Sequence, residues 1–150
     1  MNELFTTVFN EILKIEELSL RTSLNEKISV TEIHTLEAIS KSPSGTMSEV
    51  AATLRITMST LTISINRLEK KQLVQRSRGV NDRRIVYVTL TQEGRRLVEA
   101  HRRFHRRMIH EVVQDLNEDE LQRTVQAIGR LKDFFCREAQ KMGSSARKVK

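Results

Sequence analysis

The sequence contains one cysteine, one proline and five glycines in 150 residues, and each scarcity excludes a design. With Cys136 alone, no disulfide can close within the chain and no thiolate-rich zinc site can be built, which fits a reduced intracellular protein. Pro43 and the few glycines supply too little turn chemistry for an all-β architecture, so a mostly helical fold is expected. No stretch approaches the ~18 uninterrupted apolar residues of a membrane span. The N-terminus opens on Asn2-Glu3-Leu4 rather than on a basic segment leading into an apolar run, so a soluble, cytoplasmic protein without a membrane partner is expected. Positive charge is in surplus, with 26 lysines and arginines against 19 acidic residues and a net charge of +7. Such a surplus attracts anionic partners whatever the fold, nucleic acid first among them. Hydrophobic residues make up only 38%, a lean core of the kind often completed against a second copy of the chain.

Periodicity sets out the elements. Apolar residues at Phe5, Val8, Phe9, Ile12, Leu13, Ile15, Leu18 and Leu20 recur at helical spacing over residues 3–24. Ser29-Val30-Thr31-Glu32 has the form of a capping box and predicts a helix over roughly 30–40. The run Ser42-Pro43-Ser44-Gly45 breaks the chain, and Thr46-Met47-Ser48-Glu49 restarts it with a second capping box, opening a short helix over Met47–Leu54. Arg55-Ile56-Thr57 interrupts, with Thr57 the expected N-cap, before Met58–Lys71, where Leu61, Ile65 and Leu68 form a narrow apolar seam on an otherwise polar helix. Val74–Arg78 and Ile85–Leu90 read as two strands flanking a polar tip. Thr91 and Asn117 are expected to cap two further helices, the last ending near Met142, and residues 143–150 read as a basic, disordered tail.

Two helices joined by a very short turn, the second polar apart from a thin seam, followed by a hairpin with a basic tip, spell a winged helix-turn-helix. Residues 29–90 would read DNA, and residues 1–28 with 91–142 would form a helical dimerisation region. Packing the seam inward turns Ser59, Thr62, Ile63, Asn66 and Lys70 outward, and Thr60 lies beside them at the front of the helix. Short hydroxyl, amide and methyl groups suit base edges in the major groove, so Ser59, Thr60, Thr62, Ile63 and Asn66 are the candidate readers. Arg67 and Lys70, with Arg76 and Arg78 on the first strand, are candidates for phosphates. Asp82, Arg83 and Arg84 at the wing tip are candidates for the adjacent minor groove, Asp82 pairing with an arginine to hold its guanidinium fork.

Leu68-Glu69-Lys70-Lys71-Gln72-Leu73-Val74-Gln75-Arg76, Asn81-Asp82-Arg83-Arg84 and Val88-Thr89-Leu90-Thr91-Gln92-Glu93-Gly94 resemble the signature of MarR-type transcriptional regulators over about residues 3–140. The resemblance implies a triangular homodimer with interlocked first and last helices, binding an inverted repeat in double-stranded DNA. In that family the second arginine of Asp-Arg-Arg enters the minor groove, which carries over to Arg84 with Asp82 as its orienting partner. Ile12 to Arg21, Ile28 to Thr35 and His101-Arg102-Arg103-Phe104-His105 resemble the fatty-acid-synthesis repressors of Gram-positive bacteria within this family. That implies a long-chain acyl group on acyl carrier protein as corepressor; the alternative is a regulator of the same type answering to another small ligand or metal.

Arg95, Arg96, Arg102, Arg103, Arg106 and Arg107 crowd one predicted helix against Glu99. This is either a solvated helix back or a surface on which an acidic carrier protein docks. Phe9, Leu13, Ile33, His34, Leu36, Phe104 and Met108 are candidates to line an effector pocket, with plain core as the other reading. His34 is expected to donate a buried hydrogen bond. His101 and His105 stand at i and i+4, a spacing that suits a metal, but the scarcity of further evident ligands leads us to expect no metal site and no cofactor. Cys136 reads as a small hydrophobe. No nucleophile elbow or phosphate loop is present, so an enzyme is not expected; a winged-helix adaptor that binds protein instead of DNA is the other class.

Overall fold

In the computed structural model, residues 2–24 and 28–147 are described, with side chains over 3–18 and 28–141. Six helices and two strands follow in the order α1 (Asn2–Leu24), α2 (Val30–Lys41), α3 (Met47–Leu54), α4 (Met58–Lys70), β1 (Val74–Arg78), β2 (Val86–Leu90), α5 (Gln92–Val113) and α6 (Glu118–Arg147). The chain divides into two compact units, residues 1–106 and 107–150.

The helix starts follow from side chains that satisfy orphan backbone N–H groups. Ser29 Oγ accepts from Glu32 N while Glu32 Oε2 accepts from Ser29 N at 2.9 Å, a full capping box. Thr57 Oγ1 accepts from Thr60 N at 3.1 Å, and Thr91 Oγ1 from Gly94 N at 3.1 Å. Asn117 and Glu120 exchange two bonds of 3.0 Å at the head of α6. The box expected at Thr46 is only half made. Thr46 accepts from Glu49 N, but the Glu49 carboxylate turns back to take Ser42 Oγ, Ser44 Oγ and the Ser44 N–H. It thereby knits the 42–45 turn, where Gly45 supplies the required positive φ of 65°.

In the first unit, Leu61, Ile65 and Leu68 are fully buried and meet Ile33, Leu36, Val50, Leu73, Val88 and Leu97 in one core. The periodic seam of α4 is thus what fastens this helix to its neighbours. β1 and β2 pair antiparallel with Val74 opposite Leu90 and Arg78 opposite Val86, and Thr46 adds a bridge to Tyr87 on the far side of β2. On α1, Leu4, Phe5, Val8, Phe9, Leu13, Ile15 and Leu18 are all exposed in the single chain. In the second unit, α6 likewise exposes Leu121, Val125, Ile128, Phe134 and Phe135. Helical backbone continues to Arg147, past the expected end near Met142. Ala146 and Arg147 are good helix formers, so of the residues beyond the expected end Gly143 opposes helical geometry most. Of the expected tail, residues 148–150 lie outside the described residues.

Candidate nucleic-acid interface

Burying the α4 seam leaves Ser59, Thr60, Ile63, Asn66, Arg67 and Lys70 exposed, with Thr62 half-buried. The hydroxyls are not all free to read bases. Thr62 Oγ1 donates to Met58 O at 2.8 Å, keeping only its lone pairs and methyl outward, and Thr60 Oγ1 lies 2.9 Å from the Thr57 cap hydroxyl. Among the described residues no side-chain tie of this kind holds Ser59 Oγ, and the Ile63 side chain is 54% exposed.

The wing and the helix are joined by one arginine. Arg76 Nη2 donates to Asn66 Oδ1 at 2.5 Å and lies 3.4 Å from Thr62 O. Its Nε sits 3.5 Å from Glu69 Oε2, close enough for an ion pair but without hydrogen-bond alignment. Arg76 was expected at a phosphate; its side chain instead braces β1 against α4. Asn66 consequently offers its amide N–H groups, not its carbonyl, to a ligand. Sequence reasoning missed Glu69 and this tie, because nothing in a linear pattern pairs residues 66 and 69 with 76. Arg78 stays exposed on β1.

At the wing tip Gly79 N donates to Ile85 O at 2.9 Å, closing the loop. Asp82 Oδ1 accepts from Arg84 N at 2.9 Å and Nε at 3.2 Å, and Oδ2 accepts from Nη2 at 3.3 Å. This fork holds the Asp82 carboxyl below its ordinary range through the Arg84 side chain first and its backbone N–H second. The Arg84 side chain remains 92% exposed, a guanidinium aimed but not covered. Arg83 is also exposed. Met47, Met58 and Thr62 on one side and Arg76, Arg84 and Val86 on the other line a groove of about 420 Å³ between helix and wing. The base of α4 is tied to α2 by Lys71 Nζ, 2.7 Å from Glu32 Oε2. Burial opposes ionisation of Glu32, yet the Lys71 contact and the Ser29 N–H outweigh it and lower its pKa.

The arginines expected to dock an effector are partly spent within the protein. Arg95 Nη1 donates to Leu90 O at 2.7 Å, Arg102 Nη2 to Ser40 Oγ at 2.8 Å and Arg106 Nη2 to Glu99 Oε1 at 2.7 Å, while Arg96 pairs with Glu93 at 3.2 Å. Arg103 is exposed near Glu99, and Arg107 is exposed in the second unit. Among the pocket candidates, Ile33 and Leu36 are fully buried core, because their helix face packs on the α4 seam. Phe9 and Leu13 are exposed and Phe104 half-buried; Met108, half-buried, belongs to the second unit.

The histidines are placed otherwise than expected. His34 is exposed rather than buried, whereas His101 is 4% exposed beside Glu16, also 4% exposed. His101 Nδ1 lies 3.1 Å from Glu37 Oε1 and its Nε2 3.1 Å from His105 Nε2; His105 Nε2 is 2.9 Å from Glu16 Oε1. Glu16 and Glu37 were missed. A signal existed for Glu16, since it stands four residues after Ile12 on the inward face of α1.

The MarR family model matches residues 28–86. The HTH-type transcriptional repressor MdtR of Bacillus subtilis is 30% identical over 81 residues, 54% of this chain and 52% of MdtR, so the chain spans about half the length of that curated relative. The crystal structure of Streptococcus pneumoniae FabT in complex with DNA superposes with a TM-score of 0.83 at 38% identity, covering 89% of this chain and 94% of that one. Staphylococcus aureus MepR in its DNA complex, 23% identical with a TM-score of 0.70 over 90% of this chain and 96% of that one, shares the fold.

Proposed function

Because the chain belongs to the MarR family, we propose that it works as a homodimeric transcriptional repressor that reads an inverted repeat in duplex DNA. The observation that carries this is the Asp82–Arg84 fork: an exposed guanidinium held by a carboxylate beside a helix whose polar face is turned to solvent. In a dimer, the two α4 helices enter successive major grooves about one helical turn apart, with Arg84 in the flanking minor groove. Ser59, Ile63 and the Asn66 amide contact base edges, and Thr60 and Thr62 contribute their outward atoms. Arg67, Lys70 and Arg78 neutralise phosphates, and Arg83 adds charge at the tip. The uncovered apolar faces of α1 and of α6 support residues 1–28 and 91–142 as the dimerisation region.

For the regulated genes, we propose fatty-acid synthesis, with a long-chain acyl group on acyl carrier protein as corepressor. The motifs of Ile12 to Arg21 and His101 to His105 support it, as does the likeness to FabT over most of the chain. Arg103 and Arg107 are the arginines with most charge left for an acidic carrier. Fluorescence anisotropy tests both levels, using a labelled duplex from a fatty-acid-synthesis promoter, a scrambled control, and acylated carrier protein. Specific binding tightened by the acylated carrier supports the whole reading. Specific binding indifferent to it removes the corepressor, and a selection from random duplexes that enriches nothing removes the DNA-binding function.

A further inference from the structure

One polar cluster in the first unit, with Glu16 and His101 buried at its centre, takes no part in the contacts with DNA proposed above. It joins Glu16 of α1, His34 and Glu37 of α2, and His101 and His105 of α5. A carboxylate and an imidazole that are both 4% exposed are costly to hold out of water unless something compensates.

The contact geometry shows what the cluster lacks. Glu37, an acceptor when ionised, faces His101 Nδ1 at 3.1 Å, so that nitrogen carries the proton and donates it. In the tautomer this contact favours, Nε2 turns its lone pair into the cluster. His105 Nε2 is 3.1 Å from that lone pair and 2.9 Å from Glu16 Oε1. Two ring nitrogens and a carboxylate oxygen thus converge on one spot, where a single N–H can satisfy only one contact at a time. A divalent cation satisfies all three.

The dimensions agree. Ligands at ~2.0–2.1 Å around tetrahedral zinc stand about 3.3 Å from one another, and the three separations among His101 Nε2, His105 Nε2 and Glu16 Oε1, at 3.1, 2.9 and 3.8 Å, bracket that distance. His34 brings a fourth donor: ligand atoms of Glu16, His34 and His101 all lie within 4.8 Å of one another, so a modest turn of the exposed His34 ring closes the set. Its exposure also gives an ion a way in. The Glu37–His101 contact is the carboxylate–histidine pairing that orients zinc-binding imidazoles and raises their basicity. Three imidazoles with one carboxylate select a zinc-class ion over magnesium or calcium, which take oxygen ligands.

We propose that Glu16, His34, His101 and His105 form a binding site for a divalent transition metal of the zinc class, with Glu37 orienting His101. The site is independent of the DNA-binding reading, and its test needs no DNA. Full-length protein is stripped with chelator, then titrated with Zn²⁺ by calorimetry and with Co²⁺ by visible absorption, which reports tetrahedral geometry. Wild type takes up one ion per chain and gains thermal stability from Zn²⁺. His34→Ala, at an exposed position that leaves the core intact, loses at least about 10-fold in affinity along with the stability gain. His105→Ala does the same, and His110→Ala, at an exposed histidine outside the cluster, binds as wild type. Absence of uptake by wild type, or equal uptake by wild type, His34→Ala and His105→Ala, overturns the proposal.

Discussion

Gly94→Ala puts a methyl group where the chain leaves no room. A Cβ at Gly94 would lie 2.1 Å from Leu73 O, about 1.3 Å inside the ordinary contact limit of 3.4 Å, and the atom it meets is backbone rather than a flexible side-chain end. That carbonyl accepts the Thr91 N–H at 3.0 Å, and the neighbouring Gln72 carbonyl accepts Thr91 Oγ1 at 2.8 Å. Relieving the overlap means sliding the start of α5 away from Leu73 and stretching both bonds. Overpacking costs ~1–3 kcal/mol and two weakened hydrogen bonds about 1 kcal/mol each. Alanine returns about 1 kcal/mol of helix propensity. The net loss is roughly 2–4 kcal/mol, which for a chain of this length lowers Tm by about 4–16 °C. Leu73 directly precedes β1 and Thr91 directly follows β2, so the displacement also falls on the base of the wing, and DNA affinity should drop with stability. Urea unfolding followed by circular dichroism reads the first effect and anisotropy on the specific duplex the second. A stability change within ~0.5 kcal/mol of wild type would refute the reasoning, because the close approach would then not constrain the fold.

Three further outcomes are expected. Arg84→Ala should weaken operator binding and flatten the log–log salt dependence by about 0.9 per wing, near 1.8 per dimer, if each guanidinium displaces one counterion; an unchanged slope removes Arg84 from the DNA. The Asp82 carboxyl, followed by NMR, should titrate below its ordinary value and return to it in Arg84→Ala. Because its folded pKa is lowered, the fork is present above the ordinary carboxylate value and is lost as pH falls through the lowered one; a midpoint at or above the ordinary value contradicts the fork. Gln72→Gly should raise stability by about 1 kcal/mol, since Gln72 holds a φ of 58° that costs a side chain of its kind roughly that much; a loss of stability would show that the Gln72 side chain matters more than its backbone.

The fold was legible where one residue decides one local event. Ser29, Thr57, Thr91 and Asn117 each sit at a helix start and make the expected bond, and the spacing of Leu61, Ile65 and Leu68 fixes which side of α4 is buried. Asp82 and Arg84 are two residues apart, so their pairing could be read from the sequence. What could not be read depends on residues distant in sequence. Arg76 reaches Asn66 across a turn and a strand start, and Glu16 meets His101 across most of the first unit. The partition of Ile33 and Leu36 into closed core, against Phe9 and Leu13 outside, was equally hidden, because an apolar residue at helical spacing carries the same signature whether it lines a pocket or fills a core.

The left-handed residues at the two ends of α4, Arg55 before it and Gln72 after it, have a consequence for how such a regulator diverges. They reverse the chain on either side of a helix whose attachment to the core rests on three buried positions. The remaining outward positions therefore vary as an insert within fixed brackets. On the proposed reading, a copy arising by gene duplication can acquire a different operator through changes at Ser59 or Ile63 while the buried seam of Leu61, Ile65 and Leu68 stays the same. Asn66 is the exception, because exchanging it also removes the shortest of the contacts by which Arg76 braces β1 against α4. Diverged copies should accordingly change their reading at the front of the helix first and keep the Asn66–Arg76 tie longest.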